Sequence, residues 1–236
     1  MSTTLDFSSY PFRENSEYCL RAGSEHDRWI LLIPPLFDEM NRTRRMLADL
    51  MRNLDLQNIG SILPDLPGTN ESRFPPAQAN FEIWRDALRS CVDQFGEPVA
   101  VASFRGSCLI DDIDKSVKNW RLAPVKGQNL LRTLMRTRVA SDKEEGKQTT
   151  LAELTEQAQS QSINLAGNQI GPALFSNLQA AQPPELENIR TVRLEGDSKP
   201  ADTQISGSPL WLRAEPDSDE ALSAAIAGDL VSWTAQ

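Results

Sequence analysis

The stretch PVAVASFRGSCLI, from Pro98 to Ile110, brings two hydroxyls, a thiol and a guanidinium close together. Small and apolar residues from Val99 to Ala102 read as a strand buried on both faces. Ser103, Phe104, Arg105 and Gly106 make a tight turn, and a helix is expected after it. The pattern approaches the nucleophile elbow G-x-S-x-G, which lifts a serine above a sheet beside an oxyanion hole for acyl transfer. With Ser103, Arg105 and Ser107 in its first, third and fifth places, the nucleophile's place holds Arg105. A guanidinium stays protonated at any working pH and cannot attack a carbonyl. Ser103 and Ser107 are the remaining hydroxyl candidates; each also reads as a small residue required by a crowded turn. Cys108 stands at the start of the expected helix, where a dipole lowers a thiol's pKa. Without a base beside it, it reads as a packed apolar residue. Any such nucleophile needs a base to take its proton. The chain has one histidine, His26, in a polar turn near the N-terminus, where a surface histidine is the plain reading.

The elements that must position this turn are bounded by composition. The chain has 236 residues, 39% of them hydrophobic and 24% charged. That suits one folded domain with a substantial core. The net charge of −9 argues against non-specific binding to nucleic acid or anionic membrane. No apolar run approaches the ~20 residues of a membrane span. The start, MSTTLDFSSYPF, lacks a basic residue followed by an apolar core, so no signal peptide is expected. Cys19, Cys91 and Cys108 are odd in number and far apart. They read as reduced thiols of a cytoplasmic protein, not as a disulfide framework or a metal site.

Residues 1–15 read as a polar, loosely held arm. Glu17 to Arg21 and Arg28 to Ile33 are expected strands, paired as an antiparallel hairpin across the turn AGSEHD. Pro34-Pro35 ends the second. Met46, Leu47, Leu50, Met51 and Leu54 then recur at helical spacing. Arg42, Arg44 and Arg45 lie near that helix's start, against the dipole; they read as solvated cations or as an anion site. Ile59 to Leu63 is a buried strand. Asn80 caps a helix with Trp84, Leu88, Cys91, Val92 and Phe95 on its inner stripe. Beyond the turn, Trp120 to Val125 is a strand and Gly127 opens a helix. Residues 141–183 change character and read as an inserted lid or cap. Ile189 to Leu194 and Pro209 to Leu212 return to strand. Asp217 or Ser218 caps a last helix built on Leu222, Ile226, Leu230 and Trp233. Strand and helix alternate, which implies right-handed crossovers and a parallel sheet.

This order of pieces resembles an α/β-hydrolase. More narrowly, IPPLFDEMNRTRRML (Ile33 to Leu47), PDLPGTNES (Pro64 to Ser72), FEIWRDAL (Phe81 to Leu88) and ASFRGSCL (Ala102 to Leu109) carry a resemblance. WRLAPVKGQNLLRTLMRTRVA (Trp120 to Ala140) and SPLWLRAEPD add to it. The chain is similar to the hydrolase-like proteins associated with the exosortase A system, type 2. These are bacterial and are encoded with exopolysaccharide and exosortase machinery. The resemblance covers most of residues 28–233 and includes arginine at the nucleophile's place. The elbow departs from the common hydrolase pattern at Ser103 and Ser107, where glycines are usual. The resemblance implies an α/β-hydrolase fold over residues 1–236: a mostly parallel central sheet, helices on both faces, and a small helical cap insertion at 141–183.

In that fold the base is a histidine after the last strand, and Pro209 to Gln236 contains none. The loop after the second strand supplies part of the oxyanion hole and lies beside the elbow. It carries Asp38 and Glu39. A lone buried arginine is costly, so Arg105 is expected to pair with Glu39, with Asn41 or Asp65 completing the network. The variant has Arg105 facing an open pocket and gripping a carboxylate or phosphate. The expectation is a catalytically degenerate protein, a pseudoenzyme, with a binding or accessory role in polysaccharide or surface-protein export. Its partner is an unidentified protein or a small anionic ligand, with a homodimer left open, and no cofactor or metal is implied. The alternatives are a hydrolase of an ester or thioester using non-standard residues, and a structural subunit completed in trans.

Overall fold

The computed structural model describes residues 4–236. Its strands in chain order are β1 (Asp6–Phe12), β2 (Asn15–Ala22), β3 (Trp29–Ile33), β4 (Gly60–Pro64), β5 (Ala100–Phe104), β6 (Lys118–Leu122), β7 (Ile163–Leu165), β8 (Asn168–Ile170), β9 (Ile189–Leu194) and β10 (Thr203–Ile205). The helices are α1 (Asp38–Asp55), α2 (Phe81–Phe95), α3 (Gly127–Glu144), α4 (Leu151–Ser160), α5 (Pro172–Ala180) and α6 (Glu220–Thr234). Eight strands form the central sheet in the order β1-β2-β4-β3-β5-β6-β9-β10, and β7-β8 is a separate hairpin. In that sheet β4, β3, β5, β6, β9 and β10 are parallel, and β1 and β2 are added antiparallel at one edge. The expected mostly parallel sheet is therefore present, with helices on both faces.

β3, β4 and β5 are buried at every position, because helices cover both sides of a parallel sheet. One face packs the apolar stripes of α1 and α6, including Met46, Leu50, Leu222 and Ile226. The other packs α2, α3 and the segment between α3 and β9 through Trp84, Leu88, Leu131 and Phe175. Asn80 Oδ1 accepts from Ile83 N at 3.0 Å and caps α2. Among the described residues no helix is long and apolar enough to cross a membrane.

Five local readings change. Residues 6–12 are not part of an arm. They form β1, whose Tyr10 and Phe12 point into the core, while residues 1–3 lie outside the described residues. β2 pairs with β1 and β4 instead of making a hairpin with β3. β3, apolar on both faces, needs the centre of the sheet, between β4 and β5. The expected helix after the elbow is a short 3-10 turn, Arg105–Leu109. Asp111, soon after, is drawn into a buried ion pair with Arg121 of β6, and the acidic run beyond it is a poor helix former. Residues 210–212 form another 3-10 turn, and the last strand is β10. Asp219, not Asp217 or Ser218, caps α6, accepting from Leu222 N at 2.9 Å.

Candidate functional site

The elbow keeps a strained backbone and carries arginine at its third place. Arg105 has φ +59°, a left-handed conformation that costs a residue with a Cβ about 1–2 kcal/mol. A Cβ on the next residue, Gly106, would press against Leu130 and Leu36, so glycine is needed for the close approach of α3 and the β3–α1 loop. Such a turn ordinarily holds a nucleophile where substrate can reach it. Here it holds a guanidinium.

That guanidinium is fully engaged. Arg105 Nε and Nη2 donate to the two carboxylate oxygens of Glu39 at 3.1 and 3.0 Å. Nη1 donates to the backbone oxygen of Ala123 at 3.2 Å. The Trp211 ring lies 4.9 Å from Arg105 Cζ, in cation–π geometry. Trp211 is held in turn by Arg42 of α1, whose Nη1 donates to its backbone oxygen at 3.0 Å. Arg105 and Glu39 each keep only 15% side-chain exposure. The geometry is a two-pronged ion pair roofed by an aromatic ring. The open-pocket variant is not what the structure holds, since the fork closes on Glu39.

In chain order, this architecture supplies nucleophile, acid and base from the elbow, a later turn, and the segment after the last strand. Here the first place is Arg105. The turn after β9 carries Asp197, whose carboxylate bonds Arg193 Nη1 at 2.8 Å and Lys199 N at 3.1 Å. The segment after β10 contributes Trp211. Trp211 and the Ala123 carbonyl are site residues that the sequence reading missed. Pro209 to Leu212 is expected as a strand and SPLWLRAEPD enters only the resemblance; the tryptophan in a segment that should bring a base is the signal available.

The serines lie beneath this pair, out of solvent. Ser103 is fully buried, and its Oγ donates to Asp111 Oδ2 at 2.7 Å. Asp111 takes two further bonds, both 2.7 Å, from Arg121 Nε and Nη2. Burial pushes the Asp111 carboxyl above its ordinary value, and the Arg121 contacts oppose this. Ser107, also fully buried, ties the elbow together: Oγ accepts from Phe104 N and donates to Ile33 O, both at 2.8 Å. Cys108 is fully buried, and burial pushes its thiol up to about 12. All three are packed in the core and hydrogen-bonded there.

His26 sits at the other end of the sheet. Its Nε2 lies 2.8 Å from Asp55 Oδ1 at the end of α1, and Glu25 completes a trio whose ligand atoms lie within 4.8 Å of one another. Asp38, Asn41 and Asp65 do not join Arg105. Asp38 Oδ1 accepts from Asn168 at 3.1 Å. Asp65 Oδ1 accepts from Asn70, 2.5 Å away. Asn41 is exposed and borders a separate cleft.

That cleft, about 260 Å³, opens beside the β3–α1 loop. Pro34–Phe37 and Met40 form one wall, Leu66 and Gly68–Asn70 a second, and Gly167–Ile170 of the β7–β8 hairpin a third. Trp84 forms part of the lining, buried with its Nε1 donating to Pro67 O at 2.9 Å. Its polar groups are neutral: Asn41, Thr69, Asn70, Asn168 and Gln169. Among the described residues no charged one lines it, and Arg105 is not part of its wall.

No protein-family model matches the sequence, and no curated protein matches it. Solved structures do resemble it. Est1E from Butyrivibrio proteoclasticus superposes with a TM-score of 0.61 at 9% identity, over 98% of this chain and 99% of that one. The 2-hydroxy-6-oxo-6-phenylhexa-2,4-dienoate hydrolase of Rhodococcus sp. strain RHA1 gives 0.59 at 12% identity, over 99% and 100%. A thioesterase domain from the curacin biosynthetic pathway gives 0.54 at 14%, over 99% and 100%. At these identities the likeness is one of fold: the chain has the α/β-hydrolase fold.

Proposed function

We propose that this α/β-hydrolase-fold protein is catalytically degenerate and works as a binding module, taking an uncharged, hydrogen-bonding small molecule in the cleft beneath a cap made by residues 141–183. The observation that carries this reading is Arg105. It occupies the nucleophile's position on a retained elbow backbone and is closed onto Glu39 under Trp211. A pair this engaged presents no nucleophile, and the segment after β10 brings it a tryptophan ring and no histidine. The adjoining cleft keeps neutral amides and an apolar wall, a composition suited to orienting a ligand by hydrogen bonds while burying its apolar side. The resemblance to exosortase A-associated proteins is what links this role to exopolysaccharide and surface-protein export. The three buried free thiols suit a cytoplasmic setting.

A fluorophosphonate probe tests the loss of catalysis. The expected result is a folded protein without label and without turnover of short-chain nitrophenyl esters. Label on Ser103 or Ser107, lost together with turnover in the alanine variant, overturns the reading. It would establish the second one, an ester or thioester hydrolase with substituted residues. That alternative has one observation in its favour, the strained elbow retained at Arg105.

A further inference from the structure

At the opposite end of the sheet from the cleft, a second cavity of about 300 Å³ is bordered by Arg21, His26, Trp29, Ser61, Phe95 and Glu97. Arg21, the penultimate residue of β2, lies opposite Ile62 of β4, and its guanidinium carbon lies 4.6 Å from the ring centre of Phe95, the last residue of α2. Its Nε is buried without a hydrogen-bond partner. Among the described residues no carboxylate lies within ion-pair distance of it. Ser61 Oγ, from β4, is also buried without a partner. Arginine at Arg42, Arg85, Arg105, Arg121, Arg138, Arg190 and Arg193 is committed to a carbonyl or carboxylate. In a chain of net charge −9, a half-buried arginine left with an orphaned donor calls for an acceptor from outside.

We propose that Arg21 is the anion-binding group of a second ligand site, for a small monocarboxylate with an apolar body. A planar carboxylate matches the two-pronged Nη1–Nη2 edge of the guanidinium, since Nε is buried. Phe95 and Trp29 offer the apolar body a surface. Asp27 and Glu97 also line the cavity and repel a dianion such as phosphate more strongly than a monoanion. The site is independent of the cleft and of whether the elbow is catalytic.

The test is calorimetric titration of the full chain with benzoate, with benzamide as neutral isostere and inorganic phosphate, at mildly alkaline pH, as dianion. Benzoate is expected to bind, and the other two to bind at least about tenfold more weakly. Arg21→Met removes the fork, so benzoate affinity falls about 10–100-fold. Arg21→Lys keeps the charge without the fork and loses about tenfold. Thermal unfolding without ligand checks folding, and Arg21→Met is expected to match or exceed the wild type, since a buried orphan is removed. Equal binding of benzamide, or undiminished benzoate binding by Arg21→Met, overturns the proposal. So does an absence of benzoate binding at millimolar concentration together with a destabilised Arg21→Met, which makes the arginine structural.

Discussion

Arg105 can be tested as a structural plug by taking it apart in steps. Arg105→Ala removes the fork, the ring contact and the bond to Ala123, and leaves Glu39 in a site where it keeps 15% exposure. Orphaning one member of a buried pair costs about 3–5 kcal/mol. Water reaching the residual Glu39 surface lowers that to about 2–3 kcal/mol, and the lost cation–π contact returns it to about 3 kcal/mol. For a chain of this size each kcal/mol moves Tm by about 2–4 °C, so a drop of about 6–12 °C is expected. Arg105→Gly removes the same contacts but relieves the φ +59° backbone, and should be about 1 kcal/mol more stable than Arg105→Ala. Pairing Arg105→Met with Glu39→Met removes both charges together, so most of the single-variant loss returns. Urea unfolding of the single and double variants measures these differences. An Arg105→Ala within about 0.5 kcal/mol of the wild type, or a double variant that is merely additive, would refute the plug.

Further outcomes follow from other buried groups. Glu17 is buried with Oε2 unpartnered, and burial raises its carboxyl above 4.5, with Asp65 adding and Ser72 opposing. The folded state therefore holds its proton more tightly than the unfolded chain, so stability is lost as pH rises through the raised value. Glu17→Gln should be more stable than the wild type at neutral pH and lose that advantage below pH 4.5, read by thermal unfolding across pH. Burial raises all three thiols, Cys19 to about 11 and Cys108 to about 12. A thiol reagent at mildly alkaline pH should label none in the native protein and all three on denaturation. At Gly171 a Cβ would overlap the Ala77 carbonyl oxygen. Gly171→Ala should cost about 1–3 kcal/mol in urea unfolding and raise protease cutting between α3 and β9.

The sequence by itself determined which residues are available and which segments must be buried. The apolar runs at Ile30–Ile33 and Ala100–Ala102 need cover on both faces, so the centre of a parallel sheet was legible. The absence of a histidine after the last strand is a matter of composition, and no folding can reverse it. Arginine at the elbow's third place, with Glu39 a short loop beyond β3, was equally open to reading. Tertiary structure alone decided what is non-local. β1 exists because β2 supplies its hydrogen bonds, a pairing that the polar stretch before Tyr10 does not announce. The elbow's helix shrinks to one turn where Asp111 turns to Arg121 of β6, a charge pairing between separate elements. Trp211 covers Arg105 because α1 fastens its backbone through Arg42. Asn41 and Asp65 stay out of the network because Asp65 bonds Asn70 and Asn41 faces the cleft. Burial and propensity act along the chain and can be read there. The partner of each buried charge is set by which elements the packed sheet brings together.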